Sequence, residues 1–543
     1  MKKIFSILFA LVLVVSLGLV TAAPVLADTI DVPGDYPTIQ EAIDAAGPGD
    51  TIMVAAGEYG AFVVQGKENI SIISTEGATV TTAGYFWIGV EPIEGAWVMA
   101  AIYESENINI EGIDFDGTEA IEEETDVGIA YVDSTGRIAD LTVENIHGAG
   151  GAGVAIIGDV VTSVVDLSGI TVKNSHYGVF IWNAEANLDG CTITGMPEGI
   201  TIGTLRETWW APSTVKIQGS TISDNYVGIW VCDDSTVEAH FNNIVGNTYL
   251  GVWNDGGETV DATYNWWGDA SGPYHETLNP DGTGHQVSDN VDFEPWLEAG
   301  VVTEDVVTKT VTGGGTVDAT DEADTEVEVD GTATVTVAPY DKNPGGPAPT
   351  GFSSLGKYID VYVPNTDQVT EIEIRLYYTD DELTKAGIDD ESLLRPLWWD
   401  GDEWDVCSDH GVHTDSTNGY SGYMWARITK NTRPSLDDLQ GLPIDQGVEG
   451  PSEAPHPWCF IATAAYGTDT AKEIDILREF RDAVLLPNSL GAKFVSFYYR
   501  TSPPIANFIS QHEVLRTAVR VGFVDPIVTI LNWSHALWSA RGS

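Results

Sequence analysis

Six short apolar runs, each led by a glycine, recur through the first half of the chain and limit its fold more than any other feature. The spacings between successive runs are 25, 25, 21, 29 and 23 residues. Within each run the apolar residues alternate at period two, which indicates strands and excludes helical repeats. A period of about two dozen residues predicts a chain that coils through stacked β units. The runs are GIAY at Gly128, GVAI at Gly153, GVFI at Gly178, GITI at Gly199, GIWV at Gly228 and GVWN at Gly251.

Side-chain direction in such a stack follows from the alternation along each strand. The first and third residues after each glycine, such as Val179 and Ile181, are expected to point into the core. Asparagines lie three or four residues before three of the glycines, at Asn174, Asn225 and Asn247. Because asparagine tolerates left-handed backbone and its amide can hydrogen-bond between coils, we interpret these residues as structural corners.

These runs resemble the right-handed parallel β-helix proteins of the pectin lyase-like superfamily, and the resemblance covers residues 28–297. The segment YPTIQEAIDAAGPGDTIMV, residues 36–54, fits the opening of such a stack. Its first part predicts a helix that caps the end of the core, and Thr51 to Val54 would begin the first coil. The segment YNWWGDASGP, residues 264–273, looks like the final-coil motif of secreted members. The cap helix would pack through Ile39, Ala42, Ile43 and Ala46.

The residue between the two inward positions of each glycine run is expected to point outward. Across successive coils this outward column reads Ala130, Ala155, Phe180, Thr201, Trp230 and Trp253. Its aromatic members Phe180, Trp230 and Trp253 are the candidate ligand-binding residues, because aromatic rings on one outer face can stack on sugar rings. An adjoining loop or domain could equally cover them, since exposed apolar surface usually marks a contact. The sequence leaves both interpretations open.

The resemblance implies the β-helix fold, but it does not imply the catalytic activity of the enzymes that share this fold. Pectin methylesterases carry a DFIFG-type segment with a nucleophilic aspartate and a later arginine, whereas this chain has only GIDFDG at residues 112–117. The basic residues that a lyase would need, Lys67, Arg137, Lys173, Arg206 and Lys216, fall in no matching motif. Paired carboxylates, as in a hydrolase, arise by chance in so acidic a chain. We therefore expect no catalytic residue.

Charge limits the classes of partner. The chain carries 82 Asp and Glu against 24 Lys and Arg, a formal net charge of -58. Such a surface repels nucleic acid and attracts divalent cations, so no nucleic acid partner is expected. No cofactor is predicted, and calcium is the one alternative that the sequence leaves open. The four cysteines form no Cys-x-x-Cys pair, which supports neither a disulfide framework nor a zinc motif.

Both ends of the chain predict export. Residues 1–27 begin with Lys2 and Lys3, continue with an apolar run and end in Ala27, which is typical of a cleavable signal peptide. Residues 459–543 begin with CFIATAAYG and resemble the CFI-box C-terminal domain of secreted bacterial proteins. The resemblance implies sorting or surface attachment by export machinery, with membrane association through the C-terminal segment. The implied signal is Cys459, Phe460, Ile461, Ala462 and Thr463.

Between these parts, residues 301–447 alternate apolar and polar residues in short runs, which predicts an antiparallel β-sandwich. Residues 448–458 are interpreted as a linker. The segment SDHGVHTD offers Asp409, His410, His413 and Asp415, which a metal could bind, but a surface loop is the preferred interpretation, and no metal site is predicted.

The sequence as a whole predicts a mainly β protein that is secreted and retained at the cell surface. Its predicted parts are a right-handed parallel β-helix, a β-sandwich and a small C-terminal helical segment, in which Ile474, Leu477, Phe480 and Val484 recur at helical spacing. Its leading functional interpretation is a non-catalytic binding or structural protein, with an extracellular polysaccharide or another surface component as partner. A pectin-active lyase or hydrolase is the alternative, and a purely structural role as a rigid stalk is a third interpretation.

Overall fold

The computed structural model describes residues 27–449, except 87–95, 120–125, 148–149, 204–211, 350–351, 389, 418 and 440, together with 512–538 and isolated positions between 462 and 509. The predicted signal peptide up to residue 26 and residues 450–458 of the predicted linker lie outside the described residues. The chain divides into two compact units. The first ends at Val448, and the second consists of Thr350–Phe352 and Glu449–Ser543.

The glycine-led runs form one ladder of parallel strands, the glycine sheet. Neighbouring strands pair in register, for example Val179 with Ile200 and Ile229 with Val252. A short strand, Gly84–Phe86, pairs antiparallel with the second strand of the ladder. The ladder consists of Phe62–Gln65, Ala96–Tyr103, Val127–Val132, Ala152–Ile157, Tyr177–Trp182, Glu198–Ile202, Val227–Val231 and Leu250–Asn254.

Two further parallel ladders complete the coil and confirm the predicted β-helix. The second sheet contains Thr29–Val32, Thr51–Val54, Thr135–Ala139, Ser163–Ser168, Ala184–Asp189, Thr214–Gln218, Thr236–His240, Val260–Asp261 and Val291–Asp292. The third contains Gly57–Tyr59, Thr142–Glu144, Thr171–Lys173, Thr192–Thr194, Thr221–Ser223 and Asn243–Val245. The long strands Glu68–Val80 and Glu106–Asp116 contribute to both the second and the third sheet.

The interior of the stack is apolar, and hydrogen-bonded polar side chains lie at its corners. Val179 and Ile181 are fully buried in the core, as their position after the glycine predicts. Asn225 Nδ2 donates to Asn247 Oδ1 at 3.1 Å, so these two asparagines link neighbouring coils as expected. Asn174 lies in the same turn, one position before the residue that aligns with Asn225, because Lys173 pairs with Thr194 and Thr194 with Ser223. Its amide donates to Asn145 Oδ1 at 3.2 Å, and both residues have left-handed backbone. Asparagine therefore serves two successive positions of this corner.

A short helix, Ile39–Ala45, covers the first end of the core as predicted. The Thr38 hydroxyl accepts a hydrogen bond from the Glu41 amide and caps its N-terminus. The strand Thr29–Val32 pairs with Thr51–Val54, so the stack begins one strand earlier than the sequence indicated. The buried face of the cap is formed by Ile39, Ala42, Ile43 and Ala46, each at most 4% exposed.

The following segment forms antiparallel sheets around a core of their own. The six-stranded sheet contains Val307–Val311, Ala333–Pro339, Phe352–Tyr362, Leu442–Glu449, Leu394–Trp399 and Trp404–Val406. The five-stranded sheet contains Gly315–Ala319, Thr325–Gly331, Val369–Tyr378, Gly422–Ile428 and His410–His413. Residues of both sheets share the core, which confirms the predicted sandwich. Its helices are Thr320–Ala323 and Asp380–Ala386, and its 3-10 turns are Thr303–Asp305, Glu391–Leu393 and Leu436–Asp438.

The C-terminal unit is helical where it is described. Glu513–Val519 continues through a π-helical stretch, Arg520–Val524, into Asp525–Trp538. Val524, Val528 and Leu531 are buried against Ala462, Ala465, Ile474 and Ile476. Among the described residues, no helix is both long and apolar enough to cross a membrane.

Candidate functional site

The outward column of the glycine sheet is aligned as the sequence predicts. Ala130 pairs with Ala155, Ala155 with Phe180, and Phe180 with Thr201. Thr201 in turn pairs with Trp230, and Trp230 with Trp253. The structure therefore places the three candidate aromatic residues in one column on the outer face of the sheet. Whether they bind a ligand stays a prediction.

The first part of this column is covered. Ala101, Ala130 and Ala155 are 2%, 0% and 1% exposed and belong to a second apolar cluster on the outside of the stack. Phe180 packs against this cluster, with its ring 6.0 Å from the ring of Tyr177. Packing, the second of the two interpretations of the column, therefore describes the alanine positions. Phe180 is partly buried at the edge of this cluster, and its role in ligand binding stays a prediction.

The last two coils carry aromatic side chains in two stacked pairs. The rings of Trp230 and Trp253 are 4.9 Å apart and inclined by 10°. The rings of Tyr226 and Tyr249 are 5.0 Å apart and inclined by 9°. Tyr249 also contacts Trp253 edge-on at 5.7 Å, which joins the two pairs. We call these four residues the aromatic ladder.

Exposure differs between the two pairs. Tyr226 and Tyr249 are 54% and 46% exposed, whereas Trp230 and Trp253 are partly buried. The indole Nε1 of Trp230 donates to Asp255 Oδ2 at 3.1 Å, which fixes the orientation of this ring. Large exposed rings with a polar end are suited to contacts that are partly apolar and partly wet. The aromatic ladder is therefore the best candidate site on this sheet.

Tyr226 and Tyr249 are not among the residues predicted from the sequence, although a repeated signal marks them. Tyr-Val-Gly-Ile-Trp at residues 226–230 and Tyr-Leu-Gly-Val-Trp at residues 249–253 share the pattern Tyr-x-Gly-x-Trp. The tyrosines lie in the turns just before the strands Val227–Val231 and Leu250–Asn254. A prediction made from strand positions alone therefore does not include these tyrosines.

A carboxyl group lies next to the ladder on the preceding strand. Thr201 Oγ1 donates to Glu198 Oε2 at 3.2 Å, and Glu198 pairs in register with Val227. Burial raises the pKa of the Glu198 carboxyl, and the Thr201 hydrogen bond and the nearby His176 oppose that rise.

Cys232 is buried, and burial together with nearby acidic groups raises the pKa of its thiol. A raised thiol pKa leaves Cys232 protonated, so it is a poor nucleophile.

Several acidic residues of the stack have structural roles. Asp114 accepts from the Thr142 amide at 2.8 Å, and Asp116 accepts from Asn145 Nδ2 at 2.9 Å. These two carboxylates belong to GIDFDG, so the segment that came nearest to an esterase motif links neighbouring coils. Asp133 accepts from the backbone amides of residues 159, 160 and 161 at 2.7, 3.0 and 3.2 Å.

The basic side chains of the β-helix lie away from the ladder. Arg137, Lys173 and Lys216 belong to the second and third sheets, where each forms an ion pair with a glutamate of a neighbouring strand. Lys67 donates to the Ala46 carbonyl at 2.8 Å, near the cap helix. Arg206 lies outside the described residues.

Two further candidate segments were predicted from the sequence: SDHGVHTD and the sorting signal that begins at Cys459. The surface loop predicted for the SDHGVHTD segment is wrong at His410–His413, because these residues form a strand that pairs with Gly422–Ile428. His413 packs against Tyr423 at 4.9 Å. In the part of the chain that the structure describes, no group of three or more metal-binding side chains is brought together. Of the predicted sorting signal, Ala462 is buried, while Cys459, Phe460, Ile461 and Thr463 lie outside the described residues.

Comparisons with known proteins bear on the fold. A family model described as a right handed beta helix region matches residues 94–266. A search of the curated proteins found no match. Among solved structures, a pectin methylesterase from Aspergillus niger is 11% identical with a TM-score of 0.27, over 45% of this chain and 78% of that chain.

Two further solved structures are similarly distant. A pectin methylesterase variant in complex with a hexasaccharide is 11% identical with a TM-score of 0.28, over 50% of this chain and 94% of that chain. A tailspike of Acinetobacter baumannii bacteriophage AP22, in complex with a capsular saccharide, is 14% identical with a TM-score of 0.20, over 74% of this chain and 68% of that chain. The family match and the paired strand ladders identify the first part of the chain as a right-handed β-helix.

Proposed function

We propose that this protein binds a neutral extracellular polysaccharide through the aromatic ladder and does not cleave it. The observation that carries the proposal is the pair of stacked aromatic columns, Tyr226 with Tyr249 and Trp230 with Trp253, on the outer face of a rigid stack. Sugar rings have apolar faces and polar edges, and aromatic rings at a partly exposed surface complement both. The β-helix fixes the rings in advance, which lowers the entropy cost of binding.

The geometry of the ladder indicates where a sugar would stack. Trp230 and Trp253 cover one face of each other, so these faces are closed to a ligand. The next segment along the stack places Ser288 beside Trp253, because Val252 bridges Val287 and the Ser288 amide donates to the Val252 carbonyl. A short serine leaves the second face of Trp253 without an aromatic cover. We assign the first sugar contact to this face, with Tyr249 at its edge.

Charge near the ladder favours a neutral glycan over a polyuronate. Asp255 accepts from Trp230, and Glu198 lies one strand away. The described basic residues of the β-helix are engaged elsewhere, in ion pairs or in the contact of Lys67 with the cap. A polyuronate would bring its carboxylates toward these acids, which costs free energy at low salt.

A glycoside hydrolase is the second candidate function, and Glu198 is the observation that favours it. A general acid in such an enzyme needs a carboxyl group with a raised pKa beside the bound sugar. Burial raises the pKa of Glu198, and its strand adjoins that of Trp230. The hydrogen bond from Thr201 also gives this carboxylate a structural role, which explains its position equally well without catalysis.

We also infer that the protein is secreted and retained at the cell surface. The supporting features are the signal-like N-terminus and the CFIATAAYG segment, for which export and sorting machinery would be the partner. The helix Asp525–Trp538 is consistent with attachment to a membrane or another apolar surface. Its side chains Ile530 and Trp533 are 62% and 84% exposed, and Phe523 just before it is 59% exposed.

One experiment separates the three functional interpretations. The purified chain is incubated with neutral polysaccharides and with polygalacturonate, with calcium or with a chelator, and both retention and released products are measured. We expect retention on a neutral polysaccharide without reducing or unsaturated products, and independently of calcium. Reducing products would establish a hydrolase, and unsaturated products would establish a lyase. Retention on polygalacturonate alone would contradict the charge argument, and no retention on any polymer would favour a structural stalk.

A further inference from the structure

A second site of different chemistry lies where the end of the β-helix meets the sandwich, within one compact unit. A cavity of about 300 Å³ opens there. Its lining includes Tyr264 and Trp296 from the end of the β-helix and Tyr340, Trp398 and Trp399 from the sandwich. A volume of this size is at the small end of the range for small-molecule sites. The cavity could therefore hold one small organic molecule.

The aromatic side chains of this cavity are held in place by glycines. An added Cβ would lie 2.6 Å from the Trp399 ring at Gly345 and 2.3 Å from the Tyr264 ring at Gly441. At Gly272 it would lie 2.4 Å from the Trp296 ring. Because only glycine allows so close an approach, each ring packs directly on backbone. The cavity is thus formed before any ligand arrives.

The charged side chains that line the cavity are all acidic, and Arg433 lies close enough to one of them, Asp400, to help lower the pKa of its carboxyl. Asp360 is 1% exposed and accepts a hydrogen bond from the Tyr340 hydroxyl at 2.7 Å. Glu298, Asp400 and Asp438 also line the cavity and are exposed toward solvent. Among the described residues that line it there is no lysine, arginine or histidine. The nearest carboxylates and aromatic faces therefore both attract positive charge.

We propose that this cavity binds a small organic cation with a quaternary ammonium group. Aromatic rings attract such a group through their quadrupoles without hydrogen bonds, and five of the residues that line the cavity are aromatic. The carboxylates add a longer-range attraction, with Glu298 at the exposed side of the cavity. A metal ion would instead need several oxygen ligands converging on one point. The site is separate from the aromatic ladder and does not depend on polysaccharide binding.

The test uses choline as the probe and its uncharged carbon isostere, dimethylbutanol, as the matched ligand. Binding of both to the purified chain is measured by isothermal titration. We expect choline to bind at least about tenfold more tightly than the isostere, because the two differ only in charge. Equal binding of the two ligands, or no choline binding at millimolar concentrations, would overturn the proposal.

Variants locate the site. Glu298→Gln keeps the size of the side chain and removes its charge, and we expect it to weaken choline binding about threefold to tenfold. Trp399→Ala should abolish binding, and circular dichroism verifies that the variant is folded. Glu403→Gln changes an exposed residue close in sequence that does not line the cavity, and it should leave binding unchanged. If Glu298→Gln and Trp399→Ala, both folded, bind choline as tightly as the parent, the cavity is not the site.

Discussion

At the scale of single residues, Asp445 is an unusual feature of the sandwich. Its carboxylate is 1% exposed and accepts a hydrogen bond from the Ser354 hydroxyl at 2.6 Å. Burial raises the pKa of Asp445 to about 7, and hydrogen bonds from Ser354 and the Gln446 amide oppose that rise only in part. A buried carboxyl group that must ionise near neutral pH reduces the stability of the fold.

This residue predicts a pH dependence of stability. The folded chain keeps Asp445 protonated up to about pH 7, whereas the unfolded chain releases that proton near its ordinary value of 3.8. The unfolded state therefore binds fewer protons between these limits, and the free energy of unfolding falls as pH rises through this window. The expected loss from this group is about 4 kcal/mol between pH 4 and pH 8. Urea denaturation at a series of pH values measures it.

Asp445→Asn supplies the test of that assignment. An asparagine stays neutral and still accepts from Ser354, so the variant should lose most of the decline between pH 4 and pH 7 and be more stable than the parent at pH 8. Asp367→Asn, at an exposed position, should keep the parent's pH dependence. The same decline in Asp445→Asn as in the parent would show that other groups cause it.

At the scale of elements, the repeated glycines explain how the coils of the glycine sheet come together. A Cβ at Gly228 would lie 2.5 Å from the Gly251 carbonyl oxygen and 3.1 Å from the Asn247 amide nitrogen. Backbone of the next coil occupies the space that a side chain would need. The glycine that revealed the repeat in the sequence is thus required by the distance between coils.

Gly228→Ala should therefore destabilise the β-helix by about 2 kcal/mol or more, since neither the carbonyl nor the buried amide can move without breaking hydrogen bonds. A lowered urea midpoint by tryptophan fluorescence measures the change. Gly150→Ala is the matched control, because nothing lies within 4 Å of a Cβ there, and it should change stability by less than about 0.5 kcal/mol. Equal midpoints for the two variants would contradict this explanation.

The elements that the sequence predicted are those with a regular local signal. Alternation at period two fixed which residues of the glycine sheet point inward, and Val179 and Ile181 are buried accordingly. The cap helix followed from the spacing of its apolar face. Tyr226 and Tyr249 were missed because they lie in turns, where alternation gives no direction. The cavity beside Trp399 joins residues more than a hundred positions apart in the chain, and no local pattern reports such contacts.

At the scale of the molecule, the acidic charge and the aromatic ladder are the features on which the proposed polysaccharide binding depends. The net charge of -58 disfavours polyanions as partners. On the glycine sheet, the first coils bury their outer face under an apolar cluster, while the last coils leave the aromatic ladder open to solvent. The outer face of the first coils therefore contributes to packing, whereas the outer face of the last coils is accessible to a ligand.

The most direct test of the central claim measures affinity for the retained neutral polysaccharide in two variants of the same column. Trp253→Ala removes the ring whose second face has no aromatic cover and should weaken binding by at least about tenfold. Phe180→Leu alters a partly buried ring that packs against the apolar cluster, and the variant should bind within about twofold of the parent. Affinity electrophoresis compares the two, with circular dichroism as the check on folding. Unchanged affinity of a folded Trp253→Ala variant would contradict the aromatic ladder as the binding site.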